Sequence, residues 1–79
     1  MIIRVKDQSG EETFFRVVPH IRMEKIFSAF AARKGLPIYS LRFLLDGMRV
    51  SGDETPKTLE LKDNDIIGCA LEQVGGISS

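Results

Sequence analysis

Few side chains in this 79-residue sequence could do chemistry. Cys69 is the single cysteine and His20 the single histidine, so the chain cannot make an internal disulfide or assemble a zinc set. Cys69 alternates with Ile67 and Leu71 at strand spacing, which reads as a small buried apolar residue rather than a nucleophile. His20 follows Pro19 and reads as a loop residue. Asp63 and Asp65 lack the twelve-residue frame and closing glutamate of a calcium loop, and read as turn carboxylates. No metal, no cofactor and no enzymatic activity is expected. The remaining candidate is backbone. Gly75 and Gly76 carry no Cβ, so the chain there could enter a channel too narrow for any other residue. Taken alone, such a pair reads as a frayed linker.

The elements that must position these residues are organised around one stretch, Ile21 to Gly35. Met23, Ile26, Phe27, Phe30 and Ala31 recur at the i, i+3, i+4, i+7 spacing, which stacks them on one apolar stripe of a helix. Arg33 and Lys34 suit the negative end of the helix dipole and Gly35 is a natural stop, whereas Pro19-His20-Ile21 offers no capping side chain at the start. Strands are read at Ile2–Lys6, Thr13–Val18, Leu41–Leu45, Met48–Val50 and Ile66–Leu71. Asp7-Gln8-Ser9-Gly10 joins the first pair. Asp46-Gly47 joins the third and fourth, because a type I′ turn needs positive φ at both central residues. Pro37 makes Leu36–Ser40 a connector, and Thr55-Pro56 opens a single helical turn through Leu59. The order ββαββ, short helix, β is that of an α+β protein of the β-grasp type, one helix packed across a mixed sheet. Residues 1–72 form the domain and residues 73–79 a flexible tail.

Composition narrows the classes of function. Eleven Lys and Arg balance eleven Asp and Glu, and this zero net charge argues against nucleic-acid binding. No apolar run approaches the roughly 20 residues that cross a bilayer, and strand-like alternation begins at Ile2 in place of a signal peptide. A monomer of the nucleus and cytoplasm, without a membrane partner, is expected.

With the element order in place, the sequence resembles the ubiquitin-like modifiers and, within them, SUMO. The resemblance is carried by Gly35-Leu36, Ser40-Leu41-Arg42-Phe43-Leu44-Leu45-Asp46-Gly47, Thr55-Pro56, Leu59-Glu60-Leu61, Asp63, Asp65, Ile66-Ile67 and Gln73-Val74-Gly75-Gly76. A diglycine a few residues past the last strand of such a domain gains a meaning that the pair lacks alone. The resemblance implies a precursor cut between Gly76 and Ile77 by a SUMO-specific cysteine protease. An activating enzyme, a conjugating enzyme and ligases would then join Gly76 to substrate lysines as an isopeptide. Neither Val5-Lys6-Asp7-Gln8 nor Leu61-Lys62-Asp63-Asn64 completes the apolar-Lys-x-acid pattern of a chain-forming site.

Two surfaces are also implied. Phe15 and Val17 share one strand face, while Lys25, Ile26, Ala29 and Arg33 line one side of the helix. With Arg16, these match the groove in which SUMO proteins bind short apolar motifs flanked by acids. A sheet edge offers unpaired backbone groups to such a peptide. Arg4, Asp46, Asp63 and Asp65 match the face offered to the conjugating enzyme. The alternatives are a non-conjugated SUMO-like interaction domain of a larger protein and a β-grasp sulfur carrier. Carriers usually end at the diglycine, so Ile77-Ser78-Ser79 counts against that second alternative.

Overall fold

The computed structural model describes residues 1–72, so Gly75, Gly76 and the proposed cleavage point lie outside the described residues. The helix α1 spans Met23–Lys34, and all five residues of the expected stripe are buried. It lies across a sheet built from β1 (Ile2–Lys6), β2 (Glu12–Arg16), β3 (Leu41–Leu45), β4 (Met48–Arg49) and β5 (Asp65–Leu71). The sheet order is β2-β1-β5-β3-β4, with β1 and β5 parallel and the other pairs antiparallel. Ile3 and Val5 of β1, Leu41 and Phe43 of β3, and Ile67 and Cys69 of β5 point toward the helix and complete the core. Phe27 stacks on Phe43 with ring centroids 3.9 Å apart, and Phe30 meets the same ring edge-on at 5.9 Å. Val50 joins this core from the segment after β4, with Leu59 and Leu61 packed against it.

The helix start shows how this chain does without a capping side chain. Arg22 occupies the N-cap and offers no side-chain hydrogen bond. Instead the loop after β4 comes back over the helix: Met23 N donates to Glu54 O at 2.8 Å and Glu24 N to Gly52 O at 3.1 Å. Two of the orphan amides of the first turn are thus satisfied by residues about thirty positions away. The approach is close enough to require glycine, because a Cβ on residue 52 would stand 2.9 Å from Glu24 Cβ. Gly35 ends the helix in the left-handed conformation, and its N–H donates to Ala32 O.

Other departures from the sequence reading have local causes. The ladder of β2 stops at Arg16 rather than Val18, although Val17 N still donates to Met1 O at 2.9 Å. The connector contains a 3₁₀ turn at Ile38–Ser40, closed by Ser40 N donating to Pro37 O. The turn that opens at Thr55 is capped as expected, since Thr55 Oγ1 accepts from Thr58 N at 3.1 Å. It is a single hydrogen-bonded turn and not a helix in its own right. Leu71 follows Ile67 and Cys69 in phase but, at the end of β5, is 57% exposed. Asp46 and Gly47 have φ of 52° and 83°, as a type I′ hairpin turn demands.

The β1–β2 turn is tied to the far end of the helix. Asp7 Oδ1 accepts from Ser9 N, Ser9 Oγ and Glu11 N, while Lys34 Nζ donates to Asp7 Oδ2 at 2.9 Å and also to Glu11. The Ser9 hydroxyl and the Lys34 ammonium hold the Asp7 carboxyl far below the usual carboxylate range. Glu11 and Asp7 together push the Lys34 pKa up. A carboxylate depressed in the folded state stabilises the fold above its unfolded pKa of about 4. That contribution is lost as pH falls through and below this value. Urea melts of the wild type and Asp7→Asn should therefore differ at pH 7, and the gap should narrow progressively as pH falls from about 4 toward 2. A gap that stays constant over this range would contradict the pairing.

Candidate functional site

The groove expected between β2 and α1 forms at the free edge of the sheet. β2 has β1 on one side only, so its outer row of N–H and C=O groups is open to an added strand. Phe15 and Val17 are half-buried and pack against the rim of the core, facing the helix. From α1, Lys25, Ala29 and Arg33 present an exposed row at four-residue spacing along the groove. The Arg33 guanidinium sits 5.8 Å from the centre of the Phe15 ring, which links the two walls.

Two residues of the expected set behave differently. Ile26 is 1% exposed, so it supports the groove from beneath and is unavailable to a ligand in this conformation. Arg16 lies opposite Ile2 in the ladder, one residue out of phase with Phe15, and so stands on the face of the sheet away from the helix. It can reach a peptide only around the edge.

The electrostatics of the groove suit an acidic partner. Among the described residues Arg16, Lys25 and Arg33 make no ion pair, whereas Arg4, Arg22, Lys34 and Arg49 are each paired with a carboxylate. Lys25 and Arg33 beside an apolar floor, with Arg16 around the open strand edge, can bind an extended peptide of apolar residues with acidic neighbours. Such binding would weaken as salt screens the charges.

The second expected surface is partly assembled. Arg4 Nε donates to Asn64 O at 3.0 Å, which brings Arg4 against the Asp63–Asp65 turn. Asp63 Oδ1 accepts from Ile2 N, and Asp65 Oδ2 accepts from Lys62 N at 2.7 Å, so both carboxylates also build the turn that carries them. Asn64 takes a positive φ of 71° between them. The antiparallel β3–β5 register, continued beyond Leu44 and Gly68, carries the Asp46 turn toward the end of the sheet where β5 begins. Arg4 is itself paired with Glu12 at 3.0 Å.

The residues excluded from chemistry occupy ordinary positions. His20 is exposed in the turn after β2, where Ile21 N donates to Val18 O. Cys69 is buried, and desolvation pushes its thiol pKa up, the opposite of what a nucleophile needs. Among the described residues no three His, Cys, Asp or Glu side chains gather where they could hold a metal ion. No helix among them is long and apolar enough to cross a membrane. The sequence reading passed over an exposed aromatic residue of the edge strand. Phe14 is 58% exposed on the edge strand, and adjacent aromatics in a strand, Phe14-Phe15, signal that one of them must face away from the core.

Comparison with known proteins agrees with this geometry. A family model described as ubiquitin-2 like Rad60 SUMO-like matches residues 1–70. The chain is 46% identical over 74 residues to the small ubiquitin-related modifier of Caenorhabditis elegans, covering 94% of this chain and 81% of that protein. It is 38% identical over 74 residues to small ubiquitin-related modifier 2 of Arabidopsis thaliana, covering 94% of this chain and 72% of the relative. The ubiquitin-like protein pmt3/smt3 of Schizosaccharomyces pombe is 39% identical over 74 residues, which are 94% of this chain and 63% of that protein.

Proposed function

Because this chain belongs to the SUMO family of small ubiquitin-related modifiers, we propose that it is a modifier precursor which becomes active when the Gly76–Ile77 bond is hydrolysed. The chain is a modifier and not an enzyme; the catalytic groups belong to its partners. A SUMO-specific cysteine protease would release Ile77 and the residues beyond it. The activating enzyme would then adenylate the Gly76 carboxylate with loss of pyrophosphate and take it as a thioester, displacing AMP. The acyl group would pass to the cysteine of a conjugating enzyme and, with the help of ligases, to the ε-amine of a substrate lysine. Each transfer exchanges one acyl bond for another, and the domain supplies only the acyl group and the surfaces by which it is held. We place this chemistry in the nucleus and cytoplasm, with the modifier as a monomer.

The observation that carries this reading is the match of nearly the whole chain to small ubiquitin-related modifiers, with the diglycine a few residues beyond β5. Incubation with a SUMO-specific protease, followed by intact-mass measurement, tests it: the expected product ends at Gly76. A second reading, a non-conjugated interaction domain, is favoured by one feature. The peptide groove is built wholly from residues 15–33 and needs nothing from the tail.

Both readings use the groove, and its role can be tested apart from the tail. A peptide of three or four apolar residues with adjacent acids is expected to bind between β2 and α1 with micromolar affinity, weakening as salt rises. Lys25→Glu should weaken it by bringing like charges together, while leaving the fold intact because Lys25 is exposed. Amide shifts confined to the opposite face of the sheet would remove the groove from the account. Arg4, Asp46, Asp63 and Asp65 are proposed as the conjugating-enzyme face on the same family resemblance.

A further inference from the structure

A strand added to β2 has two faces, and only one of them meets the groove. In the β1–β2 ladder Thr13 and Phe15 stand opposite Val5 and Ile3, both fully buried beneath the helix. The alternate residues Glu12, Phe14 and Arg16 stand opposite Lys6, Arg4 and Ile2 and line the far face. There Phe14 is 58% exposed. Its neighbour across the ladder, Arg4, is held by Glu12 and by the Asn64 carbonyl, so it is already engaged. Glu12 is taken up by the same pair, whereas Arg16 has no carboxylate partner among the described residues. The far face of the edge strand therefore offers, in order, a neutralised acid, an open phenyl ring and a free cation.

We infer that Phe14 is a specificity-determining residue of the peptide site, selecting an aromatic or branched apolar side chain at the position of the bound peptide that points away from the groove. This rests on the groove reading above. Successive residues of an added strand alternate between faces. A peptide with apolar residues facing Thr13 and Phe15 must therefore place the residue between them opposite Phe14. Directly opposed side chains on neighbouring strands come within about 5 Å at Cβ, where aromatic pairs and aromatic–β-branched pairs attract. Two residues further along the same face, an acid would meet Arg16. The preferred sequence is three consecutive apolar residues with an acid next to the run. The acid follows the apolar run in a peptide parallel to β2 and precedes it in an antiparallel one, since Arg16 lies on the C-terminal side of Phe14 and Glu12 on the other.

The test is a double-mutant cycle across the new strand. The probes are acetyl-Gly-Ile-Phe-Ile-Asp-Glu-Gly-amide and the same peptide with Ser replacing Phe. Each is titrated into the wild-type chain and into Phe14→Thr, a substitution that keeps a strand-forming residue at an exposed position. Affinities come from calorimetry and the binding site from backbone amide shifts, whose dispersion also reports the fold. Phe14→Gln gives a second reading of the same coupling if Thr disturbs the edge. Replacing Phe by Ser is expected to weaken binding to the wild type by about two- to fivefold, and to leave binding to Phe14→Thr unchanged. An equal loss in both chains would overturn the role of Phe14 while leaving the groove in place. Failure of both peptides to shift the amides of Thr13 to Val17 would overturn the groove itself and this inference with it.

Discussion

Phe30→Ala is expected to cost about 3–5 kcal/mol of folding stability, the range for removing a buried aromatic ring. Phe30 is 1% exposed, lies in the middle of the helix stripe, and meets the Phe43 ring edge-on. Lys34 Nζ, which donates to Asp7, lies 5.5 Å from the centre of the Phe30 ring, so Phe30 links the helix, the sheet and the Asp7 turn. The cavity left behind cannot easily collapse, because Ile3, Ile26 and Ile67 around the core are also fully buried and held on separate elements. Small domains have stabilities of roughly 5–15 kcal/mol, so the variant should be partly unfolded at physiological temperature. Chemical denaturation followed by circular dichroism measures this directly. An unchanged midpoint would mean that the helix does not bury its stripe against the sheet.

The largest functional effect is expected at the other end of the chain. Gly76→Ala should abolish or severely impair both precursor cleavage and conjugation, without a measurable change in folding stability. On the proposed function both enzymes would need the same thing, an unhindered carbonyl at residue 76 in a channel that admits only backbone. A methyl group there obstructs the approach of the protease thiolate to the scissile carbonyl. After cleavage it would crowd the carboxylate in the adenylation step. Residue 76 lies outside residues 1–72, which contain the whole described core, so the denaturation midpoint should match that of the wild type. Cleavage followed by intact mass, together with a melt of the same preparation, separates the two effects. Normal processing of Gly76→Ala would remove the steric argument.

How far the sequence revealed this molecule depends on how local the cause of each feature is. The helix stripe was legible residue by residue, since Met23, Ile26, Phe27, Phe30 and Ala31 follow the helical period without interruption. The Asp46-Gly47 hairpin was legible because two positive φ values are demanded by the turn itself. The true start of the helix was not, since its first amides are satisfied by Gly52 and Glu54, and no rule of short range connects those residues. The face of Leu71 was legible from alternation with Ile67 and Cys69, whereas its 57% exposure at the end of β5 was not, since alternation predicts direction and not burial.

The site divides in the same way. Phe15, Val17 and the cations of the helix could be grouped from spacing, but their meaning as a groove came from family resemblance. Arg16 was grouped with them although the ladder turns it to the far face. Phe14 was passed over, and the pairing with Arg4 shows that it lies on the face away from the helix. The diglycine is the opposite case. Its residues are plain in the sequence, while the chemistry that gives them meaning belongs to other proteins.

The central claim is that this chain is a modifier whose reactive end is Gly76, and thioester formation with the activating enzyme tests it most directly. Two forms are compared with ATP present: residues 1–76, and residues 1–79 without protease. The account predicts that only the 76-residue form gives a thiol-sensitive, covalent adduct with the enzyme's cysteine, since Gly76 carries a free carboxylate there and a peptide bond in the longer form. Equal adducts from both forms, or none from either, would contradict it.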